Sequence, residues 1–293
     1  MVKTYNDYYQ AARKALLQAG VEDAGLEARI LCAAAADKSP AAYLRDLRLY
    51  PGGDFELRAA EYLRRRLAGE PAAYIAGSWE FHGLELEVNS NVLIPRSDTE
   101  VVTDAAIEFL RTVPQAKVID LCTGTGCIGL ALAAAVPDCR VLLVDCDRRA
   151  LMVAKRNALR CGLGQRAACI EADVLSAPPK PFGSGYDLLI SNPPYIPTAE
   201  IDTLDASVRD YEPRLALDGG GDGLDFYRAI FARWVSILRP GGCLALECGE
   251  EQAPALLRFG ADVGLVEPQV YKDTGGTDRA VLLYRPEETN DSE

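Results

Sequence analysis

The chain has 293 residues, about half of them hydrophobic, and a formal net charge of −12, which suits one large domain or two smaller ones with a sizeable core. An acidic balance works against duplex DNA, whose binding draws on phosphate neutralisation, and no apolar run nears the ~20 residues that span a bilayer. The polar N-terminus, the single histidine and nine cysteines without a C-x-x-C pair argue against a signal peptide and a zinc site, and for reduced, structural thiols in a cytoplasmic protein.

The first part reads as helices. Tyr9, Ala12, Leu16 and Ala19 fall at helical spacing across Tyr5 to Ala19, with Gly20 as the stop. An alanine-rich helix follows from Glu22 to Ala36. Ser39-Pro40 reads as an N-cap followed by proline at the first helical position, opening a short helix to about Leu47. Asp54 is the expected cap of another, with Leu57, Ala60, Leu63 and Leu67 on one side and Arg64-Arg65-Arg66 as a solvated face. Residues 1–76 are therefore expected to form a small helical bundle that docks a substrate rather than acting on it.

The period then changes. Trp79 to Val88 alternates apolar and polar residues around Gly83, the pattern of a β-hairpin, and residues 77–97 are read as a bridging linker. His82 falls near its turn and reads as a surface residue. The run from Ile94 to Glu100 leads into an apolar helix with Ser97, Asp98 or Thr99 as its cap. Capping gives Arg96 no role.

From Lys117 strands and helices alternate, the mark of a mostly parallel sheet covered on both faces. Strands are expected at Val118–Leu121, Val141–Asp145, Ala168–Glu171, Tyr186–Ser191, Cys243–Glu247, Val263–Pro268 and Ala280–Tyr284, with helices that include Arg148–Cys161 and Leu224–Leu238. This α/β domain is read over residues 98–286. The segment from Tyr195 to Gly223, with its run Gly219-Gly220-Gly221, is long for a compact domain and reads as a lid or binding segment. The acidic tail, residues 287–293, is expected to be disordered.

Two stretches carry chemistry. Gly124, Gly126 and Gly129 satisfy G-x-G-x-x-G between a strand and a helix, where glycine permits close approach and the helix start offers free N–H groups. Cys122, Thr123, Gly124, Thr125 and Gly126 are the residues expected to border the ligand. Asp145, at the end of the next strand, suits ribose hydroxyls. S-adenosylmethionine and a nicotinamide dinucleotide share that pattern, so the loop does not choose between them. Asp173 closes the third strand as an acceptor for an adenine amino group, with Val174 against the base; a turn cap is its plainer role.

The second stretch is Ser191-Asn192-Pro193-Pro194-Tyr195, which ends a buried strand. Two prolines stop the ladder and stiffen the segment. Its chemistry is rich in acceptors, the Asn192 side-chain oxygen and proline carbonyls, beside the ring of Tyr195. A planar NH2 group fits there, donating both hydrogens. Cys122, Asp145, Asp173 and Asn192 all fall at the carboxyl edge of the expected sheet, where α/β proteins gather ligands.

These residues resemble the HemK/PrmC family, the glutamine-N5 methyltransferases of peptide-chain release factors. The likeness spans nearly the whole chain. It includes Pro71 to Gly77, Glu80-Phe81-His82-Gly83-Leu84, Val92-Leu93-Ile94-Pro95-Arg96 with Thr99-Glu100, Glu212 to Leu217, Pro240-Gly241-Gly242 and Asp273 to Arg279. Cys122 departs from it, standing where the family usually has glycine; Ser97 often has proline and Val174 sometimes an aromatic. The resemblance implies a Rossmann-like methyltransferase sheet with helices on both faces, plus an N-terminal helical bundle joined by a hairpin. It implies S-adenosylmethionine as cofactor, bound by Cys122 to Gly126, Asp145, Asp173, Val174 and Asn192. It implies that Asn192, Pro193 and Tyr195 act on the glutamine of a Gly-Gly-Gln motif in class 1 release factors, with Pro194 in the substrate contact. A monomer without direct DNA binding is expected. The rivals are an adenine-N6 methyltransferase, which the acidic balance opposes, a dinucleotide oxidoreductase, which leaves the prolyl stretch idle, and a non-catalytic cofactor-binding module.

Overall fold

The structure, a computed structural model, describes residues 2–287; residues 288–293 of the expected tail lie outside them. The chain divides into two compact units. The first comprises the residues up to Trp79 with Val88–Ser90 and Asp205–Tyr211. Its helices are α1 (Tyr5–Gln18), α2 (Ala24–Ala35), α3 (Pro40–Arg45), α4 (Phe55–Leu67) and α5 (Ala72–Ala76). Thr4 opens α1 with a capping box: its hydroxyl accepts from the Asp7 N–H, and the Asp7 carboxylate accepts from the Thr4 N–H at 2.7 Å. Ser39 caps α3 through the Ala42 N–H at 3.2 Å. Asp54 stands at the N-cap of α4 but makes no capping bond, because its ψ of 10° departs from the extended backbone that aims a side chain at the helix start. Tyr5, Leu16, Leu31, Tyr43 and Phe55 are buried together. The Tyr43 hydroxyl donates to the Tyr5 carbonyl at 2.8 Å, so this aromatic core leaves neither group unpaired. Late in the chain Tyr211 returns to donate to the Ala68 carbonyl, at the end of α4, at 3.1 Å.

A hairpin of β1 (Ser78–Phe81) and β2 (Leu84–Glu87) follows, turning through His82 and Gly83, both at positive φ. His82 Nε2 bonds Asp104 at 2.9 Å. Along the chain then come α6 (Thr99–Leu110), β3 (Lys117–Leu121), α7 (Cys127–Ala135), β4 (Arg140–Asp145), α8 (Arg148–Arg160), β5 (Ala167–Glu171), β6 (Tyr186–Ser191), α9 (Ala206–Arg209), α10 (Asp225–Ala229), β7 (Leu238–Glu247), α11 (Ala253–Asp262), β8 (Val266–Lys272) and β9 (Asp278–Tyr284).

The large sheet has the order β5-β4-β3-β6-β7-β9-β8. Its first five strands are parallel, and β9 runs antiparallel between β7 and β8. Side chains alternate across it. Val118, Leu188, Ile190, Cys243 and Ala245 join α6, α7 and α8 on one face. Ile119, Leu121, Leu189, Leu244 and Leu246 join Tyr227, Trp234 and Leu256 on the other. Burial on both faces explains the nearly continuous apolar runs of these strands. Strand order reverses at β3, which lies between β4 and β6, and a crevice opens at the carboxyl ends there.

Three boundaries differ from the sequence reading. The strand expected over Val263–Pro268 runs over Val266–Lys272, because α11 persists to Asp262 and residues 263–265 are spent ending it. The Leu265 N–H bonds back to the Gly260 carbonyl at 2.9 Å across a left-handed Gly264. Pro268 is tolerated because β8 is an edge strand. The helix expected over Leu224–Leu238 is α10, a π-helical turn at Ile230–Trp234 and a 3-10 turn at Val235–Ile237. Finally, β7 begins at Leu238, with its register to β6 shifting between Tyr186 and Leu188.

Candidate active site

The turn after β3 is held from beneath by Asp120. This side chain is fully buried, and its Oδ2 accepts from the Thr123 hydroxyl at 2.5 Å and the Gly129 N–H at 3.0 Å, stitching loop to helix. Among the described residues its Oδ1 has no partner, and burial pushes the carboxyl up to about 7. Gly129 is required by close packing: a Cβ there would lie 2.4 Å from Leu143 Cδ2. Cys122 adopts φ 56°, a left-handed conformation that costs a residue with a Cβ about 1–2 kcal/mol. Burial also drives its thiol well up, so it is held neutral. Asn157, buried in α8, donates to the carbonyls of Thr125 at 3.0 Å and Glu87 at 3.1 Å. The sequence reading missed this support, whose signal is an asparagine on the apolar stripe of an amphipathic helix.

Asp145 ends β4 beside that turn. Its oxygens accept from the Gly124 and Asp147 N–H groups, each at 2.9 Å. Each oxygen keeps a second lone pair, as two vicinal hydroxyls require. Burial raises its pKa and these backbone bonds oppose the rise. Asp173 is a turn cap, accepting from the Leu175 N–H at 2.9 Å through Oδ1, which leaves Oδ2 for a ligand. Beneath it Trp234, in the π-helical turn, donates its indole N–H to the carbonyls of Val174 at 3.0 Å and Ser176 at 3.1 Å. The widened turn thus carries one buried indole to the base of this loop.

The prolyl corner follows β6. The Ser191 hydroxyl donates to the Leu121 carbonyl at 2.7 Å, tying the corner to the strand that bears the glycine turn. Asn192 donates its amide to the Thr99 hydroxyl at 3.2 Å, leaving Oδ1 as the open acceptor. Tyr195 sets its hydroxyl 3.5 Å from Glu247 Oε1. Its backbone carbonyl accepts from Gln252 Nε2 at 2.9 Å.

The long segment after the corner braces it. The Ile196 N–H bonds the Leu217 carbonyl at 3.1 Å, and the Gly219 N–H returns to the Ile196 carbonyl at 2.9 Å. A Cβ at Gly219 would lie 2.7 Å from Tyr195 Cα, so only glycine lets the returning chain lie flat on the corner. Arg96 gains its role here. It pairs with buried Glu212, which also accepts from the Ile94 N–H at 3.1 Å, so the segment is pinned just before Pro213.

These elements enclose a cleft of about 670 Å³, counted with its open mouth. Of the expected cofactor residues, Cys122, Gly124, Asp145, Asp173, Val174 and Asn192 line it, together with Pro194. Thr123, Thr125 and Gly126 stand behind the lining, where Thr123 holds Asp120 and the Thr125 hydroxyl accepts from the Cys127 N–H at 3.2 Å. Pro193 and Tyr195 are outside the lining as well. Leu93, Ala150, Leu215 and Phe226 line the cleft without having been singled out. Carboxylates at the ends of adjacent strands and these apolar walls suit an adenosine, with acceptors for hydroxyls and an amine and flat contact for a base. Among the described residues no cluster of His, Cys, Asp and Glu is arranged for a metal ion, and no helix is long and apolar enough to cross a membrane.

Two family models match the chain, the methyltransferase small domain over residues 96–219 and the PrmC N-terminal domain over residues 7–77. The release factor glutamine methyltransferase of Moorella thermoacetica is 42% identical, covering 95% of this chain and 97% of its own. That of Caulobacter vibrioides is 37% identical over 96% of both chains. A solved protein-(glutamine-N5) methyltransferase (release factor-specific) from Alicyclobacillus acidocaldarius is 30% identical, covering 68% of this chain and 99% of that one, with a TM-score of 0.41. Likeness of this degree along nearly the full length, on a fold that brings the glycine turn and the prolyl corner to one cleft, means that the chain belongs to the release factor glutamine methyltransferase family, whose enzymes use S-adenosylmethionine.

Proposed function

We propose that the chain methylates the side-chain amide nitrogen of the glutamine in the Gly-Gly-Gln motif of class 1 peptide-chain release factors. The observation that carries this reading is the Asn192 amide, fixed by Thr99 with its oxygen open to the same cleft that Asp145 and the glycine turn border.

An amide nitrogen is a poor nucleophile because its lone pair is delocalised into the carbonyl. The cofactor supplies an electrophilic methyl group on a sulfonium centre, and Asp145, Asp173, Val174 and the Cys122–Gly126 turn would hold it. The chain's own task is orientation. Asn192 Oδ1 and the Pro193 carbonyl accept the two hydrogens of the glutamine NH2, so that the lone pair leaves the amide plane and faces the methyl carbon. The same two oxygens stabilise the positive charge that grows on nitrogen as the new bond forms. Tyr195 packs on the amide plane and Pro194 keeps the segment stiff. The nitrogen then gives one proton to water and regains its conjugation, with no strong base required.

Residues 1–76 serve as the docking module, 77–97 as the linker and 98–286 as the transferase. The net charge of −12 favours a protein partner over DNA. We take the chain to act as a monomer in the cytoplasm, where release factors work. The test offers labelled S-adenosylmethionine with a class 1 release factor, DNA and ribosomal RNA in parallel. Label on the release-factor glutamine is the expected result; label in nucleic acid alone overturns the reading.

A further inference from the structure

The turn from Asp273 to Arg279, which joins β8 to β9, has no task in that mechanism. Asp273 folds it: Oδ1 accepts from the Gly275 N–H at 2.9 Å and the Thr277 N–H at 3.0 Å, and Oδ2 accepts from the Arg279 guanidinium at 3.0 Å. Arg279 lies in β9 beside the end of β7, where its backbone carbonyl accepts from the Cys248 N–H at 2.9 Å. This is the carboxyl edge of the parallel strands, next to the strand that ends in the prolyl corner. The Arg279 side chain is only 15% exposed, and a cation so placed needs partners. One is Asp273. The other is Asp98, on a different element, at 3.4 Å. Among the described residues no ion pair joins Arg279 to Glu247, the buried end of β7, whose Oε2 is left without a partner.

Asp98 stands at the start of α6 but does not cap it. Its backbone is helical, with ψ at −28°, and its side chain makes no capping bond. The first N–H groups of α6 are met instead by the carbonyls of Arg96, Ser97 and Asp98, three residues back. Those bonds close the turn on itself and leave its anchoring to side chains. Arg96 pairs with Glu212, and Asp98 with Arg279. Directly after them comes Thr99, which is buried and whose hydroxyl accepts the Asn192 amide at 3.2 Å. A shift of a few tenths of an ångström would weaken that bond, so the turn has to be held still.

We propose that Arg279 is a positioning residue for methyl transfer: through Asp98 it clamps the first turn of α6, so that the Thr99 hydroxyl keeps Asn192 with its oxygen toward the glutamine. The planar fork of the guanidinium serves both carboxylates at once, and Asp273 sets its direction. This rests on the methyl-transfer reading above and gives a task to the turn that the reading left idle.

The full-length chain carries the test. Asp98→Asn breaks the tie to α6 and leaves the Asp273–Arg279 pair intact, whereas Arg279→Gln breaks both. Arg279→Gln is expected to lower kcat for release-factor labelling about tenfold and Asp98→Asn about threefold. The Kd for S-adenosylmethionine, measured by calorimetry, stays within about twofold in each. Asp98→Glu keeps the carboxylate and most of the rate. Thr99→Val lowers kcat by itself, and adding Arg279→Gln to it costs little more, because the clamp then has no hydroxyl to place. Without cofactor or release factor, 15N NMR of asparagine-labelled chain follows the Asn192 side-chain NH2, assigned by its disappearance in Asn192→Ala. Its signal shifts, and its protons exchange faster with water, in Asp98→Asn and Arg279→Gln. Native kcat in either variant, Asp98→Glu as impaired as Asp98→Asn, losses that multiply in the double variant, or an unmoved Asn192 signal overturns the clamp. If Arg279→Gln does not fold, Asp98→Asn takes its place in the double variant. A wild-type chain that labels no release factor overturns the assigned function, and the Asn192 signal then decides the clamp alone.

Discussion

The turn after β3 and the turn after β6 border one cleft but are held in different ways. The glycine turn is secured mostly by partners close in sequence: Asp120 reaches Thr123 and Gly129, and Asp145 reaches Gly124 from 21 residues on, with Asn157 of α8 adding support at Thr125. The prolyl corner is secured from afar, by Thr99 across 93 residues, Glu247 across 52 and the flat return of Gly219. The first is a local motif that can be read from its own spacing. The second is a stiff peptide whose working orientation belongs to the whole domain.

The largest expected effect concerns the anchor of the glycine turn. Asp120 titrates near 7 when folded against 3.8 for its ordinary value, so the folded chain holds that proton across the window and loses stability as pH rises through it. Asp120→Asn keeps an acceptor for Thr123 and carries no charge. Its stability relative to wild type should be level near pH 4 and grow by on the order of 4 kcal/mol by pH 8, read by urea unfolding at each pH. A difference that is flat with pH shows that Asp120 is ionised throughout.

Next comes the corner. Asn192→Ala removes one acceptor of the proposed pair, and kcat for release-factor labelling should fall by about 10² or more, while the cofactor Kd stays within about twofold. A native rate would mean that the corner does not grip the amide as described. Smaller is the effect of Trp234→Phe, which strips the buried Val174 carbonyl and the part-buried Ser176 carbonyl of their donor. Loosening the Asp173–Ser176 turn should raise the cofactor Kd roughly tenfold with little change in saturated kcat. The smallest is a gain: Cys122→Gly relieves a left-handed backbone and should stabilise the chain by about 1 kcal/mol in chemical denaturation.

The same contrast explains what the sequence made legible. The parallel sheet was readable because strands buried on both faces leave continuous apolar runs, and Asp145 and Asn192 because each follows such a run at its carboxyl end. The supports were not. Thr99 looked like one of three candidate caps, but Asp98 takes the N-cap position without a side-chain bond and Thr99 turns inward. Glu247 was only the last residue of a predicted strand, since burial and a missing partner are properties of packing. Nor did any periodicity distinguish the π-helical turn at Ile230–Trp234 from an ordinary helix, although that turn carries Trp234 to the base of the Asp173 loop. Gly219 was noticed for its composition, yet its purpose needed the coordinates of Tyr195.

The helical unit is not one continuous ribbon, for it takes in residues 205–211, and Tyr211 supplies the donor that the Ala68 carbonyl needs. Exchanging the helical unit between relatives at a single splice near residue 77 would therefore strand that carbonyl and separate two pieces that pack together. A chimera that keeps this unit whole must transplant both stretches together, so the two stretches travel as a matched pair.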